Sequence, residues 1–463
     1  MINRLLVRNS CRAIGFWAAL VAVLAQPLPA MAQGRVSLIR DAEIEATIRA
    51  YADPVFKAAG LDAQAIKVHL VNDNRINAFV APGMNMFINT GLLIRADTPN
   101  QVIGVIAHET GHIAGGHLVR IQEELRNATI QSIIGLLVGI GAGVASGNAG
   151  VGAGAATLGQ GIAQRNVLQY SRVQEASADQ AGMKFLDATH QSSRGMLQFF
   201  EKLEGQEFLL TTNQDPYLQT HPLTRDRIDS VQQHVDNSQY SDAKDQPALV
   251  EMHQRMLAKL KGFLWPLDQV LQAYPNSDTS QPARYARAIA YFRVSRLKEA
   301  MAMMDSLLSE VPDDPFYLEQ KGQILFQNGR LADALPLYQR AADLRPREAL
   351  LRQELGQVQI ETEQPQYVKP AVANLEFAAQ MQSNDPDVWR LLAIAYGRDN
   401  QIAMSAMAQA EEAMAGGDKK EARLQARRAL KGLATGSPGW IRANDIVSAA
   451  GGPGGEDEEG GMP

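Results

Sequence analysis

Cysteine is nearly absent from this sequence: among 463 residues Cys11 stands alone, so no disulfide forms within the chain. An excess of basic residues is absent as well. Lys and Arg number 44 against 50 Asp and Glu, a formal charge of -6, which leaves no basic face for nucleic acid. Also scarce are uncharged apolar stretches long enough to cross a bilayer, which takes about 20 residues. The two that come nearest, Ile14–Ala25 and Ile130–Ala145, are respectively too short and too glycine-rich. What remains is a chain too long for one core, and its length predicts two or three domains.

Residues 1–32 read as a secretory signal. Arg4, Arg8 and Arg12 make a basic start, Ile14–Ala25 an apolar centre, and Ala30-Met31-Ala32 a small-x-small cleavage site before Gln33. Cys11 precedes the apolar centre and is not a lipid-anchor cysteine. Cleavage after Ala32 leaves a more acidic chain without cysteine, suited to an oxidising compartment without disulfides, and predicts a bacterial periplasm.

The stretch with the most chemical content is Val102–His117, VIGVIAHETGHIAGGH. Thr98 as cap, Pro99 in the first turn and Gln101 completing a T-x-x-Q box predict a helix here. Its apolar residues lie nearly all round, so it is expected to be buried. His108 and His112, four apart, share one face and can reach one metal ion. Glu109 then flanks the open position where water sits, placed to take its proton as general base. This H-E-x-x-H pattern is that of a zinc hydrolase, and it requires a third ligand from elsewhere.

Upstream, Asp41–Leu61 has helical spacing, while Val68–Val71, Asn77–Val80 and Met84–Thr90 read as short strands separated by Asn-Asp-Asn and Pro-Gly turns. Met84–Thr90 alternates as a strand with one wet side. As an edge strand beside the metal it would hold an extended peptide by main-chain hydrogen bonds; as part of an ordinary hairpin it would not.

Asn77-Ala78-Phe79, Gly83, Asn89-Thr90-Gly91-Leu92-Leu93 and the His108 helix together resemble the M48 family of zinc metallopeptidases, over about residues 36–235. In that family the third ligand is the glutamate of an E-x-x-A-D motif, which Glu175-Ala176-Ser177-Ala178-Asp179 matches. Glu175 and Asp179 also share a helical face, so that one can ligate zinc while the other accepts the second ring N–H of a liganded histidine. The resemblance extends to His221-Pro222-Leu223-Thr224 and Arg227, a segment found in periplasmic members that act in outer-membrane assembly. It implies that His221 can bind the zinc as a fourth ligand and block it. Alternatively, His221 or Arg227 donates to the oxyanion formed during peptide attack.

His117, nine residues past His108, is two and a half turns on and faces away from the metal if the helix continues. A break at Gly115-Gly116 would make the stretch resemble the metzincin third-ligand loop, but that motif is one residue longer, and His117 is rejected as a ligand. His69, His190, His234 and His253 have no partner at ligand spacing and are expected to be structural. The glycine- and alanine-rich run 130–163 reads as a hairpin beside the cleft, either touching lipid or an apolar client, or simply packed.

Beyond Pro247 a 34-residue phase emerges: Ala288, Gly322 and Gly356 in one register, Ala300 and Ala334 in another, Pro312 and Pro346 in a third. Gly322, Ala334, Tyr338, Ala341 and Pro346 resemble the small, aromatic and terminating positions of tetratricopeptide repeats. A further copy holds Trp389, Ala393 and Tyr396. Stacked repeats make a solenoid whose groove takes peptides or partner proteins.

The expected fold is therefore mainly α with a small β-sheet: signal 1–32, a zincin-like metallopeptidase domain 33–246, a tetratricopeptide solenoid 247–435, and a terminal helix with a disordered acidic tail over 436–463. The expected function is a periplasmic zinc endopeptidase with one Zn2+ held by His108, His112 and Glu175. Its expected partners are misfolded or misassembled proteins and, through the repeats, the outer-membrane assembly machinery. The rival is a chaperone or adaptor whose metal site is structural or blocked.

Overall fold

The computed structural model describes residues 37–117, 172–207 and 221–450. The signal and its cleavage site, the run 130–163 and the tail Gly451–Pro463 lie outside the described residues. Among those described, no helix is long and apolar enough to cross a membrane.

The first half wraps helices around a four-stranded sheet. Helix α1, Ala42–Ala58, starts on Asp41, whose carboxylate accepts from the Ile44 N–H. Strands β1 (Leu38–Ile39), β2 (Lys67–Val71), β3 (Ala78–Ala81) and β4 (Asn85–Asn89) lie in the order β1-β2-β4-β3. β4 runs parallel to β2 and antiparallel to β3, so it is interior and β3 is the edge. Of the two readings left open for Met84–Thr90, the edge strand does not hold: β4 is interior, and Ala78–Ala81 lies at an edge. Alternation predicts a half-buried strand but says nothing of its place in the order.

After a short helix α2, Thr90–Arg95, comes α3, Pro99–Ala114. Thr98 caps it by accepting from the Gln101 N–H, and the Gln101 amide oxygen reaches back to the N–H of Asp97, one residue before the cap. Val102, Ile103, Val105 and Ile106 are all buried in one core with Tyr51, Phe56, Met86, Phe199 and Phe200. Helix α4 spans 172–188, and α5 and α6 are Arg194–Glu207 and Arg225–Asn237.

Helix α7, Pro247–Leu264, joins the halves: Met256 and Leu260 enter the first core, Ala258 the next. A short helix α8, Leu267–Ala273, precedes five antiparallel hairpins, whose paired helices are α9 Gln281–Arg293 with α10 Leu297–Glu310, α11 Pro315–Gln327 with α12 Leu331–Leu344, α13 Ala349–Glu361 with α14 Val368–Met381, α15 Pro386–Arg398 with α16 Ile402–Ala415, and α17 Lys419–Leu430 with α18 Pro438–Ala450. Small residues set the spacing, since a Cβ on Gly322 would stand 3.0 Å from the Tyr338 ring. The last helix shares a core with its predecessors through Ala422, Ala426, Ala429, Ala443 and Ile446.

The repeats seat against the N-terminal end of α1. Ala42 packs in a cluster with Phe316, Leu318, Leu350 and Leu351, from the first helices of two successive hairpins. Around it, Lys259 reaches Asp41 at 2.9 Å and Glu319 at 3.2 Å, while Arg255 bridges Glu43 and Asp314. Arg40 adds an ion pair to Asp385 at 2.6 Å.

Candidate metal centre

Close helix approach builds the site. On α3, Gly111 faces Ala178 of α4, where a Cβ would meet the Ala178 carbonyl oxygen at 2.6 Å; on α4, Gly182 faces Ala107, where a Cβ would stand 3.1 Å from the carbonyl. Nothing larger fits at these crossings, so the backbones draw together and carry Glu175 and Asp179 to His108 and His112. One nitrogen or oxygen from each of His108, His112, Glu175 and His221 falls in a group whose members all lie within 4.8 Å of one another. All four residues are buried.

The contacts are specific. His108 Nε2 stands 3.2 Å from His112 Nε2, and Glu175 lies 3.3 Å from His108 Nε2 and 3.2 Å from His112 Nε2. The other nitrogen of His108, Nδ1, is 2.8 Å from Asp179 Oδ1. His221 enters from the segment before α6: its Nδ1 is 3.3 Å from His108 Nε2 and 3.2 Å from each Glu175 oxygen, and its Nε2 is 3.4 Å from Glu109 Oε1.

The Arg227 guanidinium grips Asp179 with Nε and Nη2 at 2.6 and 2.8 Å, and its Nη1 lies 3.0 Å from Glu175. It also lies over the Phe200 ring. It thus contacts both carboxylates, Asp179 and Glu175. His117 is not among the converging groups. Gly115 and Gly116 turn the chain back, and His117 Nδ1 comes to 3.0 Å from His112 Nδ1, on the side of that ring away from the cluster. His69, His190, His234 and His253 do not join the cluster; they meet Asn85, Tyr240, Asp187 and the Ala96 carbonyl respectively.

The donor set tests whether a metal fits. Among the described residues three buried carboxylates, Glu109, Glu175 and Asp179, gather beside three histidines and Arg227, an acid-rich setting that suits a cation. Burial opposes a charged ring at His108, yet its hydrogen bonds to Asp179 and Glu175 prevail and raise it to about 10. Burial, with His108 beside it, lowers His112 to about 3. Glu175 is driven far below the usual carboxylate range: burial opposes this, but the three histidines around it outweigh burial. Burial raises Glu109, both of whose oxygens are buried without a hydrogen bond among the described residues. Lone-pair groups that face one another, with a buried carboxylate left unbonded beside them, fit a nitrogen- and oxygen-liganded ion such as zinc.

This constellation sits in residues 39–235, which match the model of peptidase family M48. The class is thereby set: a metalloendopeptidase with an M48 peptidase domain followed by helical repeats. Among its relatives is the beta-barrel assembly-enhancing protease of Yersinia pestis, 25% identical over 359 residues, 73% of this chain and 70% of that one. Another is the mitochondrial metalloendopeptidase OMA1 of Saccharomyces cerevisiae, 27% identical over 188 residues, 39% of this chain and 50% of that one. The solved structure of YrrB, described as a TPR protein with an unusual peptide-binding site, is similar over 38% of this chain and 91% of its own, at 18% identity and a TM-score of 0.31.

Proposed function

We propose that this chain is a periplasmic zinc endopeptidase for the quality control of misfolded or stalled outer-membrane proteins, with repeats that engage clients or the assembly machinery. The observation that carries the reading is the convergence of His108, His112 and Glu175 beside a fully buried Glu109 with no hydrogen bond among the described residues. His108, His112 and Glu175 would hold the ion, which when bound supplies a Lewis acid that polarises a peptide carbonyl and acidifies water. Glu109 takes a proton from the attacking water, and burial, by raising its basicity, suits it to that work. Asp179 accepts from Nδ1–H of His108 and holds that ring with Nε2 inward; Arg227 steadies Asp179 and Glu175 together. Edge strand β3 offers main-chain groups to an extended peptide, a sequence-tolerant way to bind unfolded substrates. The relatives' printed name, a protease that enhances beta-barrel assembly, supports the choice of client.

Glu109→Gln tests the reading: zinc content and fold should be kept while cleavage of an unfolded protein falls by about 10²–10⁴-fold. Undiminished cleavage would overturn it.

A second reading, an adaptor whose site is blocked, draws support from His221. One ring touches both the ligand set and Glu109, so it occupies the place that water and substrate need. His221→Ala should raise peptidase activity if the ring blocks the site. A fall in activity at unchanged zinc content would instead favour a supporting role in catalysis.

A further inference from the structure

We infer that His117 is a positioning residue for the metal centre: it holds His112 by Nδ1 so that Nε2 of His112 is presented to the ion. The inference rests on the reading of His108, His112 and Glu175 as the metal-holding set. His112 turns Nε2 toward Glu175 and His108, at 3.2 Å from each, and turns Nδ1 the opposite way, to Nδ1 of His117 at 3.0 Å. Both rings are buried, 7% and 3% exposed, and they meet edge to face at 80°.

The sense of the hydrogen bond follows from the chemistry. If His117 Nδ1 donated, the proton of neutral His112 would have to sit on Nε2, where an ion needs a lone pair. With His112 Nδ1–H donating and His117 Nδ1 accepting, the lone pair on Nε2 points into the ligand set. His117 thus does for His112 what Asp179 does for His108, using a neutral acceptor in place of a carboxylate.

The backbone is shaped for this ring. Helix α3 ends at Gly115, and Gly116 adopts φ +62°, a left-handed conformation that reverses the chain. At Gly115 the space a side chain would fill is taken by the imidazole: a Cβ there would lie 2.4 Å from His117 Nε2. The Gly-Gly-His triplet after the second histidine of the motif is therefore a device that returns an acceptor to the back of a ligand.

The test uses the full chain, with zinc affinity read by competition with a chromophoric chelator and the ligand-field spectrum read after cobalt(II) loading. His117→Asn puts an amide oxygen where Nδ1 stands, whereas His117→Gln is equally polar but places its amide at the Nε2 position. We expect Gln, and also His117→Leu, to weaken zinc binding by about 10–100-fold and to alter the cobalt spectrum, with Asn staying within about threefold of the parent. A Gln variant that binds zinc as tightly as the parent, or Asn and Gln weakened alike, would overturn the inference. Should Leu fail to fold, the Asn and Gln pair still decides. A parent chain that takes up no zinc would sink the reading of the metal-holding set itself, a result distinct from parent uptake with no dependence on residue 117.

Discussion

Two buried polar clusters in this molecule are built on opposite plans. Where the repeats meet the peptidase domain, Lys259 and Arg255 of α7 face Asp41, Glu43, Asp314 and Glu319, and the Tyr285 hydroxyl donates to Glu43 at 2.8 Å. Cation meets anion throughout, with Arg255 also resting on the Tyr317 ring. At the end of α3, by contrast, three imidazoles and a carboxylate converge at close range, with the Arg227 guanidinium behind them. The first cluster pairs cations directly with acids and locks two regions of the fold. The second is the one we read as holding a divalent ion.

The sharpest way to break this contrast is to remove one member from each cluster. Glu175→Ala should abolish peptidase activity, falling below even the Glu109→Gln level, because a lost ligand takes the ion with it. It should leave the repeats folded, as circular dichroism would report; retained cleavage would refute the ligand role. Lys259→Ala strands several buried carboxylates and should cost about 3–5 kcal/mol in global unfolding, read by denaturant titration. Zinc content should survive that change at low denaturant; loss of zinc affinity as large as in Glu175→Ala would mean the clusters are not separate.

The smaller test concerns pH. Burial, with Asp41 and Glu43 nearby, raises Glu319 to about 7 despite Lys259. A carboxyl raised on folding contributes stability that is full below its unfolded pKa of about 4.3 and lost as pH climbs through the folded value. Asp179 in the other cluster is lowered: burial opposes this, but Arg227 and His108 outweigh it, so its contribution is present above the ordinary range and lost in acid. Glu319→Gln should therefore flatten the decline in stability between about pH 4.3 and 7 while leaving the acid limb unchanged. An unaltered slope across that window would show that Glu319 carries no linkage.

Local spacing made much of this legible. His108, Glu109 and His112 could be read because a helix repeats every turn, and Glu175 with Asp179 for the same reason. The hairpins could be read because Gly322 and Ala334 recur at a fixed period. What spacing does not encode is how the chain reverses or how strands are ordered. The contact of His117 with His112 depends on the left-handed turn at Gly116, and the interior place of β4 depends on the strand order, which alternation left open. The lock between the halves was also invisible. Nothing in the sequence marks Lys259 and Arg255, and only the fold reveals that they are buried, at 1% and 8% exposure. Arg227 was found by its segment, but its contacts with Asp179 and Glu175 were not, since no pattern in the sequence tells which carboxylates a guanidinium will meet.

The most direct measurement is X-ray absorption at the zinc edge on the purified chain beside Glu175→Ala. We expect one ion per chain in a nitrogen and oxygen shell at about 2.0–2.1 Å with two imidazoles, and loss of that ion in the variant. Absence of zinc from the parent, or an unchanged shell after Glu175 is removed, would contradict the proposed centre.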